Sequence, residues 1–316
     1  MEMSEQFSPV ALFVYSRPKH TQLTVEALLK NPEACNTPLV IFSDAAKGPA
    51  DAGSVGLVRE YLHTITGFKS IRIIERTSNM GLSRSITAGV GALCAEYGRV
   101  IVLEDDLLTS PDFLRFMNQG LDLYRDDAVV ASIHGYAYPL GSDTAVPESY
   151  FLRGADCWGW ATWARAWQHF ESDGLKLKSM LQYQDLGYQF DFDGNSAYMK
   201  MLGNQIKGKN DSWAIRWHAS AFLKNMLTLY PHQSLVANIG FDASGTHCAE
   251  ADYFATDIGV GPASLKRVEL AENQEMRARM VAFFRNLRRA RYRNALGKLK
   301  SVARRRLVKM MGQFFR

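Results

Sequence analysis

Short apolar runs alternate with amphipathic stretches through the first hundred residues. "PVALFVYS" reads as a strand bounded by Pro9 and by Arg17-Pro18. "HTQLTVEALLKN" follows as a helix, with Leu23, Ala27 and Leu28 on one face and Thr21 as its cap. The same alternation continues: "TPLVIFSD" as strand, "SVGLVREYLHTI" as helix, "KSIRIIER" as strand, "LSRSITAGVGALCAEY" as helix and "GRVIVLEDD" as strand. Strand–helix alternation of this kind predicts right-handed βαβ units and an α/β fold with a mostly parallel, doubly wound sheet.

Beyond Pro111 the pattern predicts a helix carrying Phe113, Phe116, Met117 and Leu121, then a strand in "AVVASIHGY". "YFLRGADCWGWATWARAWQHF" holds four of the six tryptophans; the spacing of Trp160, Trp163 and Trp167 reads as a helical face burying large rings. "NDSWAIRWHASAFLKNM" is expected to be a helix and "LTLYPHQSLVANIGF" a strand and turn. No repeat, low-complexity segment or sharp linker interrupts the chain before about residue 262.

Composition narrows the classes. With 47% hydrophobic residues over 316, the chain can bury a large core. No apolar run approaches the ~18–20 residues of a membrane-spanning helix, and "MEMSEQFSPV" lacks the basic and apolar regions of a secretory signal. Four scattered cysteines without a C-x-x-C pair read as reduced thiols, so a cytoplasmic location is expected. Charge splits the chain in two. From Lys266 onward there are 16 Lys and Arg against three Glu, a net of +13, which leaves the first 265 residues at −8.

The candidate chemistry lies at the strand ends, where open α/β sheets place their ligands. These ends carry Ser16-Arg17, Ser43-Asp44, Thr77 to Gly81, and Glu104-Asp105-Asp106. The last three acids follow a buried apolar run, with no Lys or Arg between Val100 and Pro111 to pair with them. Crowded carboxylates suit a hard divalent cation, Mn²⁺ or Mg²⁺, that completes its shell with phosphate oxygens and water. The competing reading is a solvated loop start before a helix that Asp112 caps.

"VIVLEDDLLTSPDFLRFM", "WGWATWARAW", "NDSWAIRW" and "ANIGF…GTH" together resemble the GT-A glycosyltransferases. The likeness is to the inverting N-acetylglucosaminyltransferase I type and bacterial family 2-like sugar transferases, and it covers most of residues 9–250. It implies a GT-A domain over 1–262, with a nucleotide-binding half (1–110) and an acceptor-binding half (111–262), followed by a basic helical tail over 263–316. The E-D-D motif takes the part of the family's D-x-D. Asp106 would ligate the metal, while Glu104 and Asp105 would orient the ribose, the sugar or metal-bound water. Asp44 in "IFSD" resembles the acid that binds a uracil or thymine imide, and Arg17 in "YSRP" a guanidinium that contacts the nucleotide. Arg84, in the N-x-G-L-like "SNMGLSRS", would neutralise phosphate or sugar oxygens; a plain Gly-permitted turn explains Asn79 and Gly81 equally well.

The resemblance makes Asp211 in "KNDSWAIRW" the general base that deprotonates an acceptor hydroxyl; alternatively it caps the following helix. Trp158, Asp156 and Trp213 would contact sugar or acceptor, with core packing as the alternative for the tryptophans. His247 in "GTHC" would reach the metal or the diphosphate, or else serve structurally beside Asp242. Implied is a metal-dependent transferase of hexosyl or N-acetylhexosaminyl groups. Its donor would be a nucleotide sugar, most readily a UDP-sugar, and its acceptor a glycan or lipid-linked glycan of a bacterial surface polysaccharide. A sugar-1-phosphate nucleotidyltransferase is the rival enzyme, but "YSRPKHTQ" lacks its glycine-rich basic loop. A non-catalytic nucleotide-sugar-binding scaffold is the rival from another class.

The tail sets Met276, Met280, Phe283, Phe284, Leu287 and later apolar residues near helical spacing among many Arg. A basic amphipathic helix suits an anionic membrane surface, which would make the protein peripheral at the inner face of the membrane. No RNA-binding aromatic motif argues for specific nucleic acid. Packing on the acidic body is the third reading of the same residues.

Overall fold

The computed structural model describes residues 7–141, 147–240 and 251–293. The first half follows the alternation read from the sequence: β1 (Val10–Val14), α1 (Pro18–Leu29), β2 (Pro38–Ser43), α2 (Pro49–Leu62), β3 (Ser70–Glu75), α3 (Leu82–Tyr97) and β4 (Arg99–Glu104). α1 begins one turn earlier than expected. Pro18, whose fixed φ suits the first helical turn, sets the start, and Thr21 lies inside the helix, bonding back to the Arg17 carbonyl at 2.9 Å.

Next come β5 (Leu107–Thr109), α4 (Phe113–Leu123), β6 (Val130–His134), β7 (Ser149–Arg153) and β8 (Trp160–Trp163). The helices α5 (Ala164–Trp167), α6 (Gly174–Tyr183), α7 (Gly187–Phe190), α8 (Tyr198–Ile206) and α9 (Trp213–Leu223) follow. β9 (Leu227–Pro231), β10 (Val236–Asn238), the short α10 (Ala251–Phe254) and a helix over 274–293, α11, complete the described chain.

Eight strands form one sheet in the order β3-β2-β1-β4-β8-β6-β9-β7. The β3-β2-β1-β4 block is parallel throughout, and β6 pairs β9 in parallel. β8 and β7 run antiparallel to their neighbours. The protein is therefore a mixed α/β molecule with a mainly parallel central sheet flanked by helices, the α/β class that the strand–helix alternation predicts. Residues of β1, β2 and β4 are almost all buried, because a strand covered on both faces has no polar side to show.

The tryptophan segment departs from expectation. Residues 160–163 are a strand between β4 and β6, and the helix after it is a single turn. Trp160 stacks on Trp213 of α9 with centroids 5.4 Å apart, while the Trp163 indole donates to the Leu121 carbonyl of α4 at 3.1 Å. Large rings on both faces erase the two-residue alternation, so a buried strand here looks like a buried helix. The burial itself was read correctly: Trp160, Trp163 and Trp167 are all core.

The tail also differs. Met276, Met280, Val281, Phe284 and Leu287 of α11 pack on Tyr150, Leu152, Phe192 and Tyr230. Arg277 pairs with Asp193 at 2.7 Å, and Asn273 N–H donates to the Phe151 carbonyl at 2.8 Å. The apolar face expected to lie on a membrane is, through residue 287, spent on β7 and β9. Burying it there removes that apolar surface from water without a second component. The expected apolar residues from Leu296 onward lie outside the described residues.

Candidate functional site

Parallel register brings the carboxyl ends of β1, β2 and β4 level: Phe13 pairs with Glu104, and Val14 with Ser43. The loops leaving those ends open into a cleft of about 780 Å³. Arg17, Asp44, Glu104, Asp105, Asp106, Trp158 and Asp211 all line it, although they span almost two hundred residues of sequence.

The acids are not unpartnered. Arg17, from the end of β1, pairs with Asp105 and with Asp106 Oδ2, the latter at 3.0 Å. Asp105 is almost fully buried; it also accepts the Tyr15 N–H at 3.4 Å, and its carbonyl accepts the Thr24 hydroxyl at 3.0 Å. Asp105 thus ties the end of β4 to the β1–α1 corner. Asp106 is the more open of the pair, with 15% of its side chain exposed against 5% for Asp105.

One guanidinium against three carboxylates leaves an excess of negative charge. Burial first, and then the charges of Asp106 and Asp105, push the Glu104 carboxyl up to about 8; Arg17 opposes the shift. Between the ordinary carboxyl value of 4.5 and about 8, folded Glu104 holds a proton that the unfolded chain has lost. Stability of the metal-free protein is therefore expected to fall as pH rises through that window. Glu104→Gln removes the titrating group, so the melting temperature of this variant is expected to vary less between pH 5 and pH 8 than that of the unchanged protein. Parallel melting curves for the two proteins would contradict the assignment.

Asp44 is committed to backbone. Its Oδ1 accepts the N–H groups of Ala45 and Met80, each at 2.9 Å, and its Oδ2 those of Gly81 at 2.9 Å and Met80 at 3.2 Å. The carboxylate fastens the loop before α3 to the end of β2. Those bonds occupy the acceptors expected to receive a base imide. Asn79 reinforces the same loop by donating to the Ala45 carbonyl at 2.7 Å. Gly81, at φ 73°, supplies the left-handed turn that aims the start of α3 at the cleft.

Asp211 lines the cleft with 69% of its side chain exposed, 3.6 Å from the Arg216 guanidinium. It is not the helix cap: the Ser212 hydroxyl accepts the Ile215 N–H at 3.3 Å and takes that role. Arg216 is fixed from three sides, donating to the carbonyls of Ser172 and Ser212 and to the hydroxyl of Ser83 in the cleft wall.

Trp158 forms part of the wall; its backbone N–H donates to His134 Nε2 at 3.1 Å, and its ring meets Tyr136 edge-on with centroids 4.7 Å apart. Asp156 stands behind it, accepting the Tyr138 hydroxyl at 2.6 Å and the Cys157 N–H at 2.9 Å. Trp213 belongs to the core, 3% exposed, and does not line the cleft. Arg84 is exposed, donates to the Met80 carbonyl at 2.7 Å, and lies outside the lining. His247 and Asp242 lie outside the described residues.

Tyr15, Lys47, Ser83, Asn238 and Gly240 also line the cleft and were not singled out from the sequence. Tyr15 and Lys47 sit in loops after β1 and β2, so their position past a strand end was the available signal. Asn238 and Gly240 fall within "ANIGF", part of the resemblance, but no role attaches to them there. They arrive because β10 pairs antiparallel with β5, placing Asn238 opposite Leu107, and Ile239 N–H donates to the Asp106 carbonyl at 2.9 Å. A side chain at position 240 would collide with the Asp106 carboxylate, so only glycine admits this approach.

Among the described residues, no three His, Cys, Asp or Glu side chains converge as a ready-made metal cage. The oxygen donors at Asp106 and Glu104 nevertheless fit a hard divalent ion that takes one or two carboxylates and completes its shell with water and phosphate. The condition is that Arg17 gives way.

No protein-family model and no curated protein matches the chain. Among solved structures it is similar to the mannosyltransferase PcManGT from Pyrobaculum calidifontis in complex with GDP-Man and Mn²⁺. Identity is 15% and the TM-score 0.31, over 43% of this chain and 37% of that one. The chain thus matches well under half the length of that enzyme, and the functional reading rests on the cleft residues themselves.

Proposed function

We propose that the protein is a metal-dependent glycosyltransferase that moves a sugar from a nucleoside-diphosphate donor to an acceptor hydroxyl with inversion. The observation that carries this reading is the convergence of Arg17, Glu104, Asp105, Asp106, Trp158 and Asp211 on one cleft at the carboxyl ends of parallel strands. The start of α3, with Ser83 in the cleft wall, offers backbone N–H donors to a diphosphate. Lys47 and Arg17 add positive charge. Trp158 presents a ring against which a sugar can stack.

Asp211 takes the proton of the acceptor hydroxyl as that oxygen bonds to the anomeric carbon. The bond from that carbon to the β-phosphate oxygen breaks, and the nucleoside diphosphate leaves with the electron pair. Asp106 would hold a divalent ion, which when bound would supply positive charge against the departing phosphate. Arg216, 3.6 Å away, holds Asp211 near the start of α9.

Donor, acceptor and cofactor complete the proposal: a UDP-sugar carrying a hexosyl or N-acetylhexosaminyl group, a glycan or lipid-linked glycan, and Mn²⁺ or Mg²⁺. The test is a thermal-shift screen of nucleotide sugars with and without Mn²⁺. Stabilisation is expected only with donor and metal together, growing with donor concentration as mass action requires. If no nucleoside diphosphate or nucleotide sugar shifts the melt in Mn²⁺ or Mg²⁺, the reading fails.

Peripheral membrane contact belongs to the same proposal, through charge and not through insertion of α11. Arg285, Arg288, Arg289 and Arg293 stand exposed on that helix. No acidic residue occurs from position 276 to the end. Co-sedimentation with vesicles containing phosphatidylglycerol is expected to be lost at high salt and absent with neutral lipid. Binding that persists at 1 M salt would refute the electrostatic form of this contact.

A further inference from the structure

Arg17 is placed where an incoming cation would sit. Its guanidinium spans Asp105 and Asp106, pairing with both from the end of β1, while 25% of its side chain stays open to the cleft. A Cβ at position 240 would come within 3.1 Å of its Nη1, so the group stands beside the chain leaving β10. A divalent ion cannot use the full charge of Asp106 while a guanidinium holds it, because like charges so close repel strongly in a partly buried site. A diphosphate entering the cleft meets the same guanidinium, and planar guanidinium groups bind phosphate in a two-pronged fashion.

We infer that Arg17 is an exchangeable internal counter-ion: it occupies the metal-binding carboxylates until a nucleoside diphosphate draws it away. The inference rests on the glycosyltransferase reading and adds a coupling to it. Metal alone binds weakly, because Asp106 is already neutralised. Diphosphate binding moves the guanidinium toward phosphate and exposes the Asp106 oxygen to the metal. Each ligand therefore strengthens the other by the same factor, as linkage requires. Arg17 is a positioning residue in this scheme, acting on Asp106. The arrangement guards against metal binding in the absence of donor.

The test measures Mn²⁺ affinity by calorimetry and by Mn²⁺ electron paramagnetic resonance, with and without UDP or GDP. In the unchanged protein, the nucleotide is expected to tighten Mn²⁺ binding about tenfold or more, within the usual range of coupling between sites. In Arg17→Gln, Mn²⁺ alone is expected to bind about tenfold more tightly than in the unchanged protein, and the coupling to shrink toward one. Removing Arg17 leaves Asp105 buried and unpaired, which endangers folding. The double variant Arg17→Gln/Asp105→Asn removes that pair together, keeps Asp106 and Glu104, and is expected to show the same loss of coupling.

Mn²⁺ binding alone that is unchanged or weaker in folded Arg17→Gln overturns the exchange, while nucleotide-dependent metal binding in the unchanged protein leaves the transferase reading standing. Absence of coupling in the unchanged protein also overturns the exchange. If neither UDP nor GDP binds with Mn²⁺ to either protein, the exchange and the reading beneath it fall together.

Discussion

Asp106→Asn is expected to abolish Mn²⁺-dependent nucleotide binding at concentrations that saturate the unchanged protein, and to lower transfer about 10³-fold once a donor is in hand. A metal set against a leaving phosphate contributes several kcal/mol to the transition state, and each 1.4 kcal/mol is a factor of ten. The substitution leaves the fold alone for a stated reason. Asp106 is the outer partner of Arg17, and the more buried Asp105 keeps the guanidinium in place. Metal-free stability is therefore expected to change by no more than about 1 kcal/mol, the range of partly exposed ion pairs. Denaturant melts without metal check that half, and calorimetry with Mn²⁺ and UDP or GDP checks the other. Undiminished Mn²⁺-dependent binding in the Asn protein would remove Asp106 from the metal site.

Asp211→Asn carries the second large effect. Turnover is expected to fall by about 10²–10⁴-fold, the usual contribution of a general base, with nucleotide and Mn²⁺ affinity unchanged. The amide cannot take the proton, yet the local structure does not depend on the charge: Asp211 is 69% exposed, and its ion pair to Arg216 is 3.6 Å long. Ser212→Ala is the control. It removes the helix cap seen at Ile215 and is expected to cost about 1 kcal/mol of stability while keeping most of the activity. An Asp211→Asn protein with full transfer rate would move the base elsewhere, and Asp211 would then be only a loop acid beside Arg216.

Legibility differed sharply between fold and site. The βα alternation over residues 9–104 was readable because each element announces itself within a few residues: β1, β2 and β4 as apolar runs, and α3 by its period and the glycine on either side of it. The tryptophan strand was misread because burial on both faces erases the two-residue signal. The cleft was legible as a set of strand ends, since a parallel sheet brings those ends together. The availability of each side chain there was not legible. Asp44 stands at the expected strand end, but its oxygens are taken by Met80, Gly81 and Ala45; Trp213 stands in the expected segment, but faces Trp160 in the core.

By itself, then, the sequence determined the α/β class, the run of acids past β4, the position of Asp211 before a helix, and the charge divide between body and tail. These depend on short-range periodicity and composition. Only the tertiary structure decided that Arg17 lies across Asp105 and Asp106, that Gly240 abuts Asp106, and that Met280 and Phe284 cover the β7–β9 end of the sheet. Arg17 and Asp105 are 88 residues apart. Whether a charge is free or paired depends on which distant strand end folds beside it, and no local pattern in the chain records that.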